Sequence, residues 1–254
     1  YQEVLAINEK ALVPNHAETA NSLARLAELY RTQGSYADSI QGLYGKHALY
    51  KKAERFSRIA LSVRSKARGP YHQDTAINLA NMGNIYNAQG LYAEAESFYN
   101  QALAIFEDVL PPTDGHTSVI QNNLAFMYHK QGLYEKAEPL YQRSLAIEEM
   151  QEDPDYKFIA RIISSLSILY GDQRMYEKAN PLLRNALNIQ FKLIQREVSY
   201  LAQADREALI HSFGNMHVFA FSSAKHGSSG RELALFARLN RQGLLAEIEK
   251  RQAQ

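Results

Sequence analysis

The sequence predicts an all-α, right-handed solenoid: about four antiparallel helix pairs stacked in order, with further helices behind them. Three observations lead there. The chain repeats itself at a fixed period, each period divides into two amphipathic stretches, and a glycine-bearing turn stands between the two. Such self-similarity marks repeat architectures, in which a helix pair buries its apolar face only when a neighbour covers it.

Residues 131–147, QGLYEKAEPLYQRSLAI, nearly restate residues 89–105, QGLYAEAESFYNQALAI, 42 residues earlier. At that offset Tyr50, Tyr92, Tyr134 and Tyr176 share a column, as do Ala53, Ala95, Ala137 and Ala179, and Leu61, Leu103, Leu145 and Leu187. Upstream in each unit Met82, Leu124 and Leu166 align, and so do Tyr86, Tyr128 and Tyr170.

Within a unit, Ala95, Phe98, Tyr99, Ala102, Leu103 and Phe106 follow helical spacing and form one apolar stripe, the second helix of a pair. Met82, Ile85 and Tyr86 do the same for the first helix. Between them Gly90 and Gly132 suit the left-handed residue that ends a helix. Gly83, Ala125, Ala95 and Ala137 are small enough to let the two helices approach. The recurring tyrosines are read as packing residues with their hydroxyls reaching the rim.

Two units depart from the pattern. In the first, Leu26, Ala27 and Tyr30 lie 56 rather than 42 residues before their equivalents, which puts an insertion near residues 35–48. Gly42 and Gly45 there predict a short helix, a turn, and a new helix from about Lys46. In the fourth unit Arg174 occupies the glycine column, which predicts a less regular turn, with Gly171 nearby to compensate.

The unit resembles the tetratricopeptide repeat. Met82-Gly83-Asn84-Ile85-Tyr86 is similar to its L-G-x-x-Y, and Ala95 to Tyr99 to its A-x-x-x-F. The long period resembles the variety found in kinesin light chains and many bacterial regulators, the extra residues lying in connectors such as FEDVLPPTDGHTS. The resemblance implies an array over residues 1–194, made of a partial N-terminal helix and about four pairs. It also implies that the leading helix of each pair lines a concave groove holding a peptide or partner helix.

Residues 195–254 leave the period and read as helices around a KHGSSG loop, with a capping box at Ser229–Glu232. Ser199-Tyr200-Leu201 and LALFARLNRQGLLAEI at 233–248 resemble the helical segment between repeats and the caspase-like domain of bacterial TPR–CHAT proteins. Gln242 stands where that family has a lysine. The resemblance implies the sensor or regulatory arm of a protease whose catalytic domain lies beyond Gln254, with an intramolecular contact to that domain. An adaptor of the kinesin-light-chain type is the alternative, and a stand-alone enzyme on a helical scaffold the third.

Composition narrows the chemistry. Across 254 residues the net charge is +1, 46% of residues are apolar, and there is no cysteine. The apolar fraction supports a core, and the charge balance gives no basic patch for nucleic acid. Lack of thiols removes disulfides, thiolate metal sites and a cysteine nucleophile, and fits a reducing, cytoplasmic setting. No stretch is long and apolar enough for a membrane span. His211 and His217 lack the spacing of a helical zinc pair, and Gly227-Ser-Ser-Gly230 lacks that of a nucleophile elbow. The expectation is therefore no catalysis, no metal and no cofactor.

What varies between copies would specify the partner. Counting from the leucine column, Asn81, Asn123 and Ser165 precede it by one, while Asn84 and Phe126 follow it by two. Asn87 and His129 share a further position, Lys130 the next, Asn122 neighbours Asn123, and Arg161 lies near its helix start. Asparagine both donates and accepts, so the five asparagines could pair with a peptide main chain whatever its sequence. Phe126 would add an apolar contact, and Lys130 and Arg161 would favour an acidic side chain or terminus.

Overall fold

A computed structural model describes residues 17–35 and 40–198. Among them every regular element is a helix: α1 Ala17–Ser35, α2 Ile40–Arg68, α3 Gln73–Gln89, α4 Tyr92–Val109, α5 Gly115–Lys130, α6 Tyr134–Glu149, α7 Tyr156–Asp172 and α8 Tyr176–Val198. The readings made for residues 195–254 lie, from residue 199 on, outside the described residues. The chain divides into two compact units, one through Met127 and one from Tyr128.

In the first unit α1 pairs with α2 and α3 with α4, and α2 packs against α3. Ala27 of α1, Ala53 of α2 and Ile85 of α3 form one buried cluster, with Tyr30 and Phe56 against it. The expected stripe of α4 is present: Ala95, Tyr99, Ala102 and Phe106 are buried, joined by Ile105, while Phe98 and Leu103 are half-buried. Small residues set the interhelix distance. A Cβ added at Gly83 would lie 2.7 Å from the Tyr99 ring, so only glycine admits that ring.

The insertion differs from expectation. Helix α2 runs unbroken from Ile40 through Gly42 and Gly45. Each interior glycine costs a helix about 1 kcal/mol. Burial of Tyr50, Ala53, Ser57, Ala60, Val63 and Arg64 along one face of α2 outweighs that. Gly34, the turn-glycine column of this unit, stays inside α1 and makes room for the Tyr50 ring, 2.7 Å from where a Cβ would stand.

In the second unit α7 pairs with α8 and packs against α6. Ile159 and Ile163 bury against Ala186, with Leu145, Leu182 and Ile189 around them. Ser167, in the Gly83 column, donates from Oγ to the Ala179 carbonyl at 2.9 Å, tying α7 to α8 directly.

The turns obey one geometry. Gly90 and Gly132 have φ of 78° and 73°, and the next residue's N–H returns to the tyrosine carbonyl, Leu91 to Tyr86 at 3.0 Å and Leu133 to Tyr128 at 2.9 Å. The fourth turn is no less regular, contrary to expectation. Arg174 itself takes φ 61°, and Met175 N–H reaches the Tyr170 carbonyl at 2.8 Å. The hydrogen-bond pattern is the same, held by a residue with a Cβ.

Candidate binding face

On α3, Asn81, Asn84 and Asn87 recur every third residue and so share one face; all three are half-buried. Asn123 of α5 is brought to the same place, its Nδ2 donating to Asn84 Oδ1 at 3.1 Å. A second donor reaches that oxygen from behind. Tyr99, on the trailing helix α4, gives its hydroxyl proton to Asn84 Oδ1 at 2.7 Å. Asn87 lies beside the same hydroxyl, and burial pushes the hydroxyl's pKa well above the ordinary tyrosine value, so it remains a donor. Asn87 Oδ1 is itself buried without a partner.

One of the expected residues, Asn122, is placed differently, while Phe126 faces outward as expected. Asn122 is 7% exposed with Oδ1 buried and unpaired, because a helix turns by about 100° per residue and its neighbour Asn123 takes the outward direction. Phe126 is outward and 49% exposed, a large apolar surface in the column that Asn84 fills one repeat earlier.

Residues absent from the sequence-based set join this face. Arg31 of α1 stands 56 residues before Asn87, the offset of that first unit, and Tyr99 lies within range of its charge. Its guanidinium grips Glu28, with Nε to Oε2 at 2.8 Å, and that bond raises its pKa above the usual arginine value. Tyr99 carried only a packing signal in the sequence, since nothing in its column shows where the hydroxyl ends.

In the second unit the face is less amide-rich. His129 Nε2 is bonded to Asp172 at 2.8 Å, and the Tyr134 and Tyr141 rings present edges to the imidazole at 5.8 and 6.4 Å. One imidazole nitrogen is thus already committed. Lys130 and Arg161 are exposed, the Arg161 guanidinium 4.6 Å above the Phe158 ring. Ser165 bonds the Arg161 carbonyl at 3.0 Å. Tyr141, one repeat after Tyr99, is fully buried, with the Ser165 side chain rather than an amide beside its hydroxyl. Among the described residues no group of three or more His, Cys, Asp or Glu could hold a metal ion.

The sequence profile described as Tetratricopeptide repeat matches residues 46–108 and 116–190, more than half of the chain. The chain belongs to the tetratricopeptide-repeat family. It is an all-α solenoid of that family, and its scaffold is of the kind used for protein–protein interaction. No curated protein sequence matches it. Solved structures similar to this tetratricopeptide array include BtubC (BKLC) from P. vanneervenii, at 20% identity over 76% of this chain and 71% of that one, with a TM-score of 0.59. A putative kinesin light chain with nearly identical TPR-like repeats from Podosopora anserina is 17% identical over 89% and 96%, with a TM-score of 0.56. Aspartyl phosphate phosphatase F from Bacillus subtilis is 15% identical over 92% and 60%, with a TM-score of 0.58. At these identities the likeness is one of fold. Among the described residues no helix of the array is long and apolar enough to cross a membrane.

Proposed function

We propose that this tetratricopeptide array is a non-catalytic recognition scaffold that binds extended peptide along the outward face of its leading helices. The observation carrying this reading is the amide cluster of the first unit. Asn84 and Asn123 are half-buried, fixed by hydrogen bonds, and each retains polar valence open to solvent. Fixed amides lose little entropy on binding, which is what a main-chain ligand requires. Asn81 extends the row and Phe126 supplies apolar surface; within the second unit, taken by itself, Lys130 and Arg161 supply charge that suits an acidic side chain. An array of synthetic decapeptides of acidic, neutral and basic composition, probed with the purified chain, tests the reading. Retention of a subset, lost on Asn81→Ala with Asn123→Ala while the fold melts as before, is expected. Uniform failure to retain any peptide would overturn it.

In its finer form, the chain is the regulatory arm of a TPR–CHAT caspase-like protein, supported by the resemblance of residues 199–201 and 233–248. The gene read onward from Gln254 decides this. A continuing frame encoding a strand-rich domain with a His and Cys pair supports it. A stop codon close by favours a free adaptor, a reading also supported by the structural likeness to the kinesin-light-chain repeats.

A further inference from the structure

The bonds around Asn84 have a direction. A hydroxyl carries one proton, and that of Tyr99 goes to Asn84 Oδ1 at 2.7 Å; it is not spent on Asn87 Oδ1, which has no partner. Asn123 Nδ2 fills the second acceptor position of the same oxygen at 3.1 Å. An amide oxygen has two lone pairs, so Asn84 Oδ1 is saturated. Turning the Asn84 amide over would put its nitrogen where the oxygen now is, break the Tyr99 bond and set the N–H groups of Asn84 against that of Asn123. Asn84 therefore offers only N–H donors outward. Asn123, having given an N–H to Asn84, keeps its oxygen as an open acceptor.

We propose that Tyr99 is a positioning residue that sets the donor–acceptor polarity of the asparagine face, so that an extended peptide is accepted in one chain direction, a carbonyl at Asn84 and an N–H at Asn123. This rests on the peptide-binding reading above. The device belongs to this repeat rather than to the array at large. One repeat on, Tyr141 fills the Tyr99 column but Phe126 fills that of Asn84, so the Tyr141 hydroxyl, beside Ser165, has no amide in that column to orient.

The test uses decapeptides retained by the intact chain, each resynthesised with its sequence reversed, and measures both by fluorescence anisotropy. The intact chain is expected to prefer the original direction by about tenfold, the worth of one well-made hydrogen bond. Tyr99→Phe is expected to reduce that preference to within about threefold, and Tyr141→Phe to leave it unchanged. Asn84→Asp keeps the acceptor for Tyr99 and Asn123 but removes the outward donors. It should lose the same peptides even if Tyr99→Phe folds poorly. If Tyr99→Phe and Asn84→Asp both keep the affinity and the preference, the inference falls while peptide binding stands. If the intact chain retains no peptide, both fall.

Discussion

The Tyr170 hydroxyl donates to Glu138 at 2.6 Å, from the leading helix α7 back to the preceding trailing helix α6, 32 residues earlier. In the first unit Tyr86 donates to Glu54 at 2.8 Å across the same separation, from α3 back to α2. The tyrosine column is thus a tie between successive pairs as well as a packing element. Lys178 sits 5.1 Å over the Tyr170 ring, as Lys52 sits 5.3 Å over Tyr30, so several columns cooperate at each joint.

This tie makes stability depend on alkaline pH. Burial first, and the bond to Glu138 second, push the Tyr170 pKa up to about 12. An unfolded tyrosine ionises near pH ~10. Its folded pKa being the higher, the contribution of Tyr170 is complete below the unfolded value and is lost as pH rises through the folded one. Denaturant midpoints of the intact chain and of Tyr170→Phe, taken between pH 8 and 12, should converge or cross as pH rises. A constant difference would refute the assignment.

Arg174 holds the left-handed conformation that Gly90 and Gly132 hold elsewhere, with a Cβ that the conformation disfavours. Arg174→Gly should stabilise the second unit by about 0.5–1 kcal/mol, the left-handed penalty less the extra entropy of unfolded glycine. Gly132→Ala should act in the opposite sense. Chemical denaturation with an unchanged slope is the measurement.

Glycines inside helices separate by what their missing Cβ would meet. Gly83→Ala forces a methyl to 2.7 Å from two carbons of the Tyr99 ring, a rigid neighbour. The overpacking cost of about 1–3 kcal/mol exceeds the gain in helix propensity. Gly45→Ala meets nothing within 4 Å and should stabilise by up to about 1 kcal/mol. Thermal melts of the two variants should therefore move in opposite directions.

The period made the helix pairs and their left-handed turn residues legible, because both follow from spacing that repeats. What escaped was set by contacts with no local pattern. Gly42 and Gly45 read as a break, yet α2 continues through them into a stretch buried on one face from Tyr50 to Arg64. Arg174 read as an irregular turn, yet the returning Met175 N–H imposes the same conformation on it. On the candidate face the columns located Asn81, Asn84 and Asn123 but could not tell Asn122, turned inward, from its neighbour. Nor could they show that Tyr99 reaches Asn84, since the partner lies on another helix and is replaced by Phe126 in the next copy.

Arg64 is a charge buried without a carboxylate bonded to it. Only 8% exposed, its guanidinium donates to Asn78 Oδ1 at 2.8 Å, the Asp74 carbonyl at 3.2 Å and Asn21 Oδ1 at 2.5 Å, so α2 is laced to α3 and α1. Burial lowers its pKa, Asp74 acting against that. Asn78 also donates to the Ser57 carbonyl at 3.1 Å. Asn78→Ala leaves both ends unsatisfied and should cost about 2–3 kcal/mol. Arg64→Met combined with it should cost less than the sum, with a coupling of at least about 1 kcal/mol in a double-mutant cycle. Strict additivity would show that the bond contributes nothing.

Tyr99 and Tyr141 occupy one column, are both fully buried, and differ in what the hydroxyl meets, the Asn84 amide in one and the Ser165 side chain in the other. Removing the Tyr99 hydroxyl deletes a hydrogen bond and leaves Asn84 Oδ1 with one donor, so Tyr99→Phe should destabilise by about 1 kcal/mol. Removing the Tyr141 hydroxyl deletes a desolvated polar group whose contact with Ser165 falls short of a well-formed hydrogen bond. Tyr141→Phe should be neutral or stabilising by up to about 1 kcal/mol. Volume and ring are conserved in both, so packing cannot account for a difference between them. Equal losses in the two denaturation curves would mean that the Tyr141 hydroxyl does find an acceptor. The contrast between the two copies would then be one of geometry rather than of satisfaction.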